Sequence, residues 1–313
     1  MWPLYLPLVI PALAGAAARP LAARLEPRLA TWLLTATTVA LAVFSTAALA
    51  LLAASALARV PFLAALGDYS QPVLRSGDPV PAVAGSAAAL LLTAAAVAVA
   101  VVIRARARAL AESYRRAARM APGGRVVVVP GHALEAYALP GSPGRIVVSG
   151  RLLDALDDRG RAALLAHEHA HLDGQHHLFT TVAYLAAAAN PLLIPVARAV
   201  DYTVERWADE RAAAITGDRR LVASTIGQVA LLTAPRPARP RATLAITGAR
   251  GRSVSLAWAG PVPRRVAALL APPPRRQLTL LAIVAILILT AGASAAEAAR
   301  DLHALLEFAQ TAR

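Results

Sequence analysis

The stretch Trp32–Leu57 runs 26 residues without a charged side chain. A helix needs about 20 mostly apolar residues to cross a bilayer, so this run commits the chain to a membrane. Trp2–Ala18, Val80–Ile103 and Leu278–Ala296 are apolar on the same scale. The expected fold class is a mainly α membrane protein with four transmembrane helices. Composition supports this, with 58% hydrophobic and 16% charged residues, where soluble domains carry about 25% charge. A cleaved signal peptide is not expected, because Arg19 follows the first apolar run and no basic residue precedes it. Cysteine is absent, which excludes a disulfide scaffold, a thiol nucleophile and a Cys-ligated metal.

All 32 basic residues are Arg, and the net charge is +14. Such a charge would raise nucleic acid as a partner, but no nucleic-acid motif accompanies it. The arginines cluster instead at the ends of apolar runs. Arg19, Arg24 and Arg28 follow the first. Arg104, Arg106, Arg108, Arg115, Arg116 and Arg119 follow the third. Arg264, Arg265, Arg275 and Arg276 precede the last. The positive-inside rule then puts the N-terminus outside, residues 104–277 inside and the tail 297–313 outside. A fifth apolar stretch, Phe179–Val200, is interrupted by Asn190-Pro191 and Pro195. It reads as helix-break-helix, associated with the membrane without crossing it. A true fifth span would carry the Arg-rich region after Arg206 to the outer side.

The expected organisation is a membrane region 1–103, an inside domain 104–277, a fourth span 278–296 and a short tail. Within the domain, Arg104–Met120 continues a membrane helix. Arg125–Val129, Ala136–Leu139 and Arg145–Ser149 read as short strands. Helices are expected at Ser149–Leu156, Arg159–Gly174, Asp201–Thr216 and from Gly217-Asp218 to about Leu232. Pro235–Arg252 reads as a mobile basic loop.

Five of the seven histidines lie between positions 167 and 177, and His167-Glu168-His169-Ala170-His171 fits HExxH. On a helix, residues four apart share a face, so His167 and His171 can hold one zinc ion while Glu168 reaches the attacking water as general base. With seven histidines and eight glutamates, chance would supply only about 0.004 such matches. Two third ligands are open. His177 completes a metzincin-type HExxHxxGxxH, but the only methionines are Met1 and Met120, so the Met-turn is missing. Glu205, with Asp209 one turn on, offers one carboxylate to zinc and a second to fix a ligand histidine's free nitrogen. Glu205 is the preferred choice for that reason. His169 has the wrong phase, and His132 and His303 are given no role.

These residues carry a resemblance. Tyr137–Leu153, Leu164–His171, Asn190-Pro191 and Glu205-Arg-Trp-Ala-Asp209 are similar in order and spacing to the BlaR/MecR-type membrane metallopeptidases. HtpX-like peptidases are more distantly similar. The resemblance implies a zincin-type α+β peptidase domain, built from a short sheet, the HExxH helix and an E-x-x-x-D helix. It implies zinc on His167, His171 and Glu205, catalysis by Glu168 and support by Asp209. It also implies an extended substrate paired to the strand at Ala136, Tyr137 and Ala138. The implied partners are a protein or peptide substrate, with a transcriptional repressor in a signalling pathway among them, and the lipid bilayer. The implied location is a bacterial cell membrane, with the peptidase domain on the cytoplasmic side. Antibiotic-sensing members carry a penicillin-binding domain after the last helix, and none is expected here. The competing readings are a membrane quality-control protease and a non-proteolytic zinc sensor or scaffold. A site-2-type intramembrane protease is disfavoured, because Leu172-Asp173-Gly174 follows HExxH directly.

Overall fold

The computed structural model describes residues 2–58, 60, 62, 82–120, 124–130, 133–233, 261–272 and 278–311. Residues 63–79 and the expected loop Pro235–Arg252, together with His132, Arg275 and Arg276, lie outside the described residues. The molecule is mainly helical. It divides into one unit of residues 1–108, 178–201 and 275–313 and another of 109–177 and 202–274.

The first unit holds α1 (Trp2–Arg24), α2 (Pro27–Ala58) and the first part of α3 (Ala82–Arg119). It also takes in most of α6 (His176–Ala189), a 3₁₀ turn (Pro191–Leu193), the start of α7 (Ile194–Thr216) and α10 (Leu278–Thr311). Among the described residues three helices are long and apolar enough to cross a membrane: Tyr5–Arg24, Pro27–Ala58 and Val83–Arg119. The expected fourth stretch, Leu278–Ala296, is the first part of the 34-residue helix α10, which continues through most of the expected tail.

Glu26 caps α2, its carboxylate accepting from the amides of Arg28 (3.0 Å) and Leu29 (2.7 Å), with Pro27 opening the helix. The buried hydroxyls of Thr31, Thr38, Ser45 and Ser55 donate to carbonyls one turn back along α2. These four hydroxyls are thereby satisfied inside an apolar bundle. At Gly85 of α3 an added Cβ would lie 2.4 Å from Ala56 Cβ and 2.8 Å from Leu52 O. Only glycine permits this close approach of α2 and α3.

Pro191 cannot continue α6, and the break falls at Asn190. The Asn190 side chain accepts from the Leu192 amide (3.1 Å) and donates to Ser45 Oγ (3.0 Å), tying the break to α2. Trp32 and Phe179 meet edge to face at 4.8 Å.

The second unit contains a three-stranded sheet of order β1-β3-β2, with β1 at Val126–Val129, β2 at Ala136–Leu139 and β3 at Arg145–Ser149. β1 runs parallel and β2 antiparallel to β3. β3 is the central strand and is buried at all five positions. Ser149 caps the short α4 (Gly150–Asp154), and Asp157 caps α5 (Asp158–Asp173) by accepting from the Gly160 amide at 2.7 Å. Helix α8 is Arg219–Thr233 and α9 is Pro261–Leu270.

Val148 and Leu152 pack with Leu156 and Leu164, which seats α5 on the sheet. Ala163 and Ala166 of α5 meet Ala212 and Ala213 of α7, Val222 and Ala223 of α8 and Leu269 of α9. This core is largely alanine, which lets the four helices approach closely.

Candidate metal centre

Helix α5 presents His167 and His171 one turn apart, and α7 presents Glu205 and Asp209 one turn apart. Side chains four apart on a helix share a face, so two crossing helices bring two pairs together. The His167 and His171 Nε2 atoms lie 3.1 Å apart. Glu205 Oε1 is 3.5 Å from His171 Nε2, and Oε2 is 3.7 Å from His167 Nε2. One ligand atom from each of these three residues falls within a 4.8 Å cluster. Tetrahedral zinc with nitrogen ligands at about 2.0–2.1 Å would hold two of them about 3.3 Å apart. The donor set, two imidazoles and one carboxylate, suits that ion. The residues present therefore fit zinc.

Behind the cluster, the buried Asp209 places Oδ1 3.0 Å from His167 Nδ1. This contact turns the His167 Nε2 lone pair toward the centre. Burial opposes a charge on His167, but Asp209 beside it holds its pKa above the ordinary value. Burial likewise opposes ionisation of Asp209. The hydrogen bonds from Arg265 and His167 outweigh it and hold the carboxyl below its usual range. Burial, with His167 adding to it, pushes His171 down to about 3, so its ring is neutral and ready to ligate. Glu168 is raised by burial. That direction brings a general base closer to neutral working pH. A backbone hydrogen bond from Ala138 fixes the Glu168 carboxylate beside the cluster.

That last contact locates the β2 edge. The Ser149 amide donates to Glu135 O at 2.9 Å, so the backbone of Glu135 faces β3. By the antiparallel alternation, the N–H and C=O of Ala136 and Ala138 point to the free edge. Ala138 N–H bonds Glu168, while the polar groups of Ala136 point outward. Tyr137 pairs with Val147, and its side chain is exposed.

Two residues of the site were not legible as such in the sequence. Arg265 reads there as a topology marker. In the structure its Nε and Nη2 donate to Asp209 at 2.8 and 2.6 Å, and Nη1 meets Glu205 Oε2 at 2.7 Å. Its neighbour Arg264 stacks over the Tyr202 ring at 4.2 Å. Both arginines therefore fasten α9 to α7. His176 is buried, with Nδ1 3.0 Å from His171 Nδ1 and its ring 4.6 Å from that of Trp207. A Cβ on Gly174 would lie 2.4 Å from His176 Nε2, so the glycine makes room for this ring. His176 is thus the neighbour of His171, while His177 and His169 are not in the ligand cluster. A polar residue five positions after the second HExxH histidine was the available signal, masked by the adjacent His177.

A sequence model described as Peptidase family M48 matches residues 102–187. The match takes in the three strands and α5, and it ends before Glu205. No curated protein and no solved structure matches the chain. Over the region that carries HExxH, the chain is therefore similar to the M48 metallopeptidases, a metal-dependent family.

Proposed function

We propose that the protein is an integral-membrane zinc endopeptidase that cleaves a cytoplasmic or membrane-proximal protein. The observation that carries this reading is the convergence of His167, His171 and Glu205 within 4.8 Å, with Glu168 held beside them by the β2 edge. In this reading His167, His171 and Glu205 hold the ion, and Asp209 orients His167. A zinc ion bound there would supply a Lewis acid for the scissile carbonyl and would lower the pKa of water. Glu168 takes the proton from the attacking water and delivers it to the leaving amine. The outward polar groups of Ala136 pair with an extended substrate backbone, which fixes the peptide in line with Glu168.

The resemblance to BlaR/MecR-type enzymes supports a regulatory substrate, such as a transcriptional repressor. The M48 match supports the protease reading without that narrower role. A structural zinc site would have no use for a buried carboxylate beside the ligands, which disfavours the sensor or scaffold. Four spans, with α10 supplying the last, complete the proposed topology.

Glu168→Gln is expected to abolish cleavage of an added protein substrate while zinc content stays at one per chain. Undiminished cleavage by that variant would reject the mechanism. Loss of zinc from it would reassign Glu168 as a ligand.

A further inference from the structure

A cavity of about 580 Å³ opens beside the ligand cluster. Leu164 of α5, Val222, Ile226 and Val229 of α8 and Val262 of α9 form its apolar wall. His167, Glu168 and Arg265 border the same space, as does Ala136 of the β2 edge. The cavity is thus continuous with the reacting groups and with the strand edge proposed to hold the substrate backbone. Thr225 and Thr233 also line it, but their hydroxyls donate to Leu221 O and Val229 O of their own helix, at 2.9 and 2.8 Å. They offer a substrate no free hydroxyl proton.

We propose that this cavity receives one bulky uncharged apolar side chain of the substrate, at a residue flanking the scissile bond, and so sets the cleavage preference. The proposal rests on the metallopeptidase reading. Size supports it, because an apolar cavity of about 150 Å³ already holds benzene. The space accepts leucine, isoleucine, methionine or phenylalanine with room for the adjoining backbone. Charge supports it as well. An acidic side chain would enter between Glu135 and Glu168, which both border the cavity. The guanidinium there, Arg265, is already engaged by Asp209 and Glu205. A basic side chain would lose its hydration against an aliphatic wall, and such burial without a partner is costly. Strand pairing supplies the aim. A peptide on the β2 edge directs alternate side chains to opposite faces, so only every second residue can reach the cavity.

The test uses the full chain, purified in detergent with zinc, and a peptide library whose cleavage products are mapped by mass spectrometry. The expected result is enrichment of Leu, Ile, Met or Phe at one position flanking the cleaved bond. Two variants alter the wall from opposite directions. Ala230→Phe fills part of the cavity from a half-buried position. It should lower the Leu-over-Ala ratio of kcat/KM at that position by about tenfold or more. Ile226→Ala enlarges the cavity and should move preference toward Phe. Should Ala230→Phe fail to fold, Ile226→Ala carries the comparison.

Binding gives a readout independent of turnover. Glu168→Gln should bind a labelled peptide with Leu at the preferred position about tenfold or more tighter than its Asp counterpart. Cleavage with no apolar preference, or with a preference that neither variant moves, overturns the proposal and leaves the peptidase reading standing. A zinc-loaded wild type that cleaves nothing overturns both.

Discussion

The two metal-facing histidines differ in what they require before they can ligate. His171 is neutral down to about pH 3 because burial, and then His167, disfavour its charge. His167 is held above the ordinary histidine value, since the neighbouring Asp209 outweighs its burial. A ligand must be deprotonated, so zinc affinity should rise as pH rises through the His167 pKa and level off above it. Below the His167 pKa one ligand proton, not two, should be displaced per zinc. Competition against a chelator at several pH values reads this directly, and two protons per zinc would show that His171 is not neutral in the free site. His176 makes a separate prediction. Its Nδ1 lies 3.0 Å from that of His171, and loss of such a partner typically weakens metal binding about 10–100-fold. His176→Phe keeps the ring that packs on Trp207 and should show that loss, whereas an unchanged zinc affinity would make His176 a packing residue only. HExxH was legible because its chemistry is contained within five residues of one helix. His176 and Arg265 were not, because their roles depend on which side chains the fold brings to them.

At the scale of elements, the strand at 125–129 was legible from its β-branched run ending at Pro130, the strands at Ala136–Leu139 and Arg145–Ser149 from the Pro- and Gly-rich turn between them, and the break from Asn190-Pro191. Helix α9 was not, because its ten residues follow a Pro- and Arg-rich stretch and its two arginines had a ready explanation in membrane topology. Its place is set by arginine contacts running in both directions. Arg265 reaches from α9 to the 1%-exposed carboxylate of Asp209. Arg219 of α8 donates to the carbonyls of Leu269 (2.9 Å) and Ala268 (3.0 Å) at the end of α9, while pairing with Glu210 of α7. Cutting one partner of a buried pair leaves the other charge uncompensated, at about 3–5 kcal/mol. Arg265→Met should therefore destabilise the protein on that scale, and Asp209→Asn added to it should cost much less than the two changes summed. Additive costs in denaturant unfolding would mean that Arg265 and Asp209 do not act as a pair. Arg219→Ala should raise hydrogen exchange in α9 and leave α5 protected, since Arg219 caps the former while the latter is seated on the sheet by its own apolar residues. Equal protection of α9 in both proteins would remove Arg219 as its anchor.

For the whole molecule, α3 shows why 58% hydrophobic residues and a charge of +14 coexist in one chain. Leu90, Leu91, Val97 and Val101 are exposed on its first part, and Arg104, Arg106, Arg108, Arg115, Arg116 and Arg119 are exposed on its second. From Ala82 to Ile103 the helix rises about 33 Å, close to the hydrocarbon thickness of about 30 Å. In the proposed topology the change of exposed surface at Ile103–Arg104 marks where this helix exchanges lipid for water, with the arginine-bearing end inside. The interrupted stretch then determines the side on which the rest of the site lies. Helix α6 has 14 residues, about 21 Å, and Asn190 breaks the chain before α7 begins. In the proposed orientation this interrupted stretch does not cross, which keeps Glu205, Asp209 and Arg265 on the same side as HExxH. A reporter active only outside the cytoplasm should therefore be silent when fused after Gly217 and active when inserted in the 58–79 segment. Activity after Gly217 would require a fifth crossing at 179–200. HExxH and Glu205 would then lie on opposite faces of a membrane, and they could not share a metal.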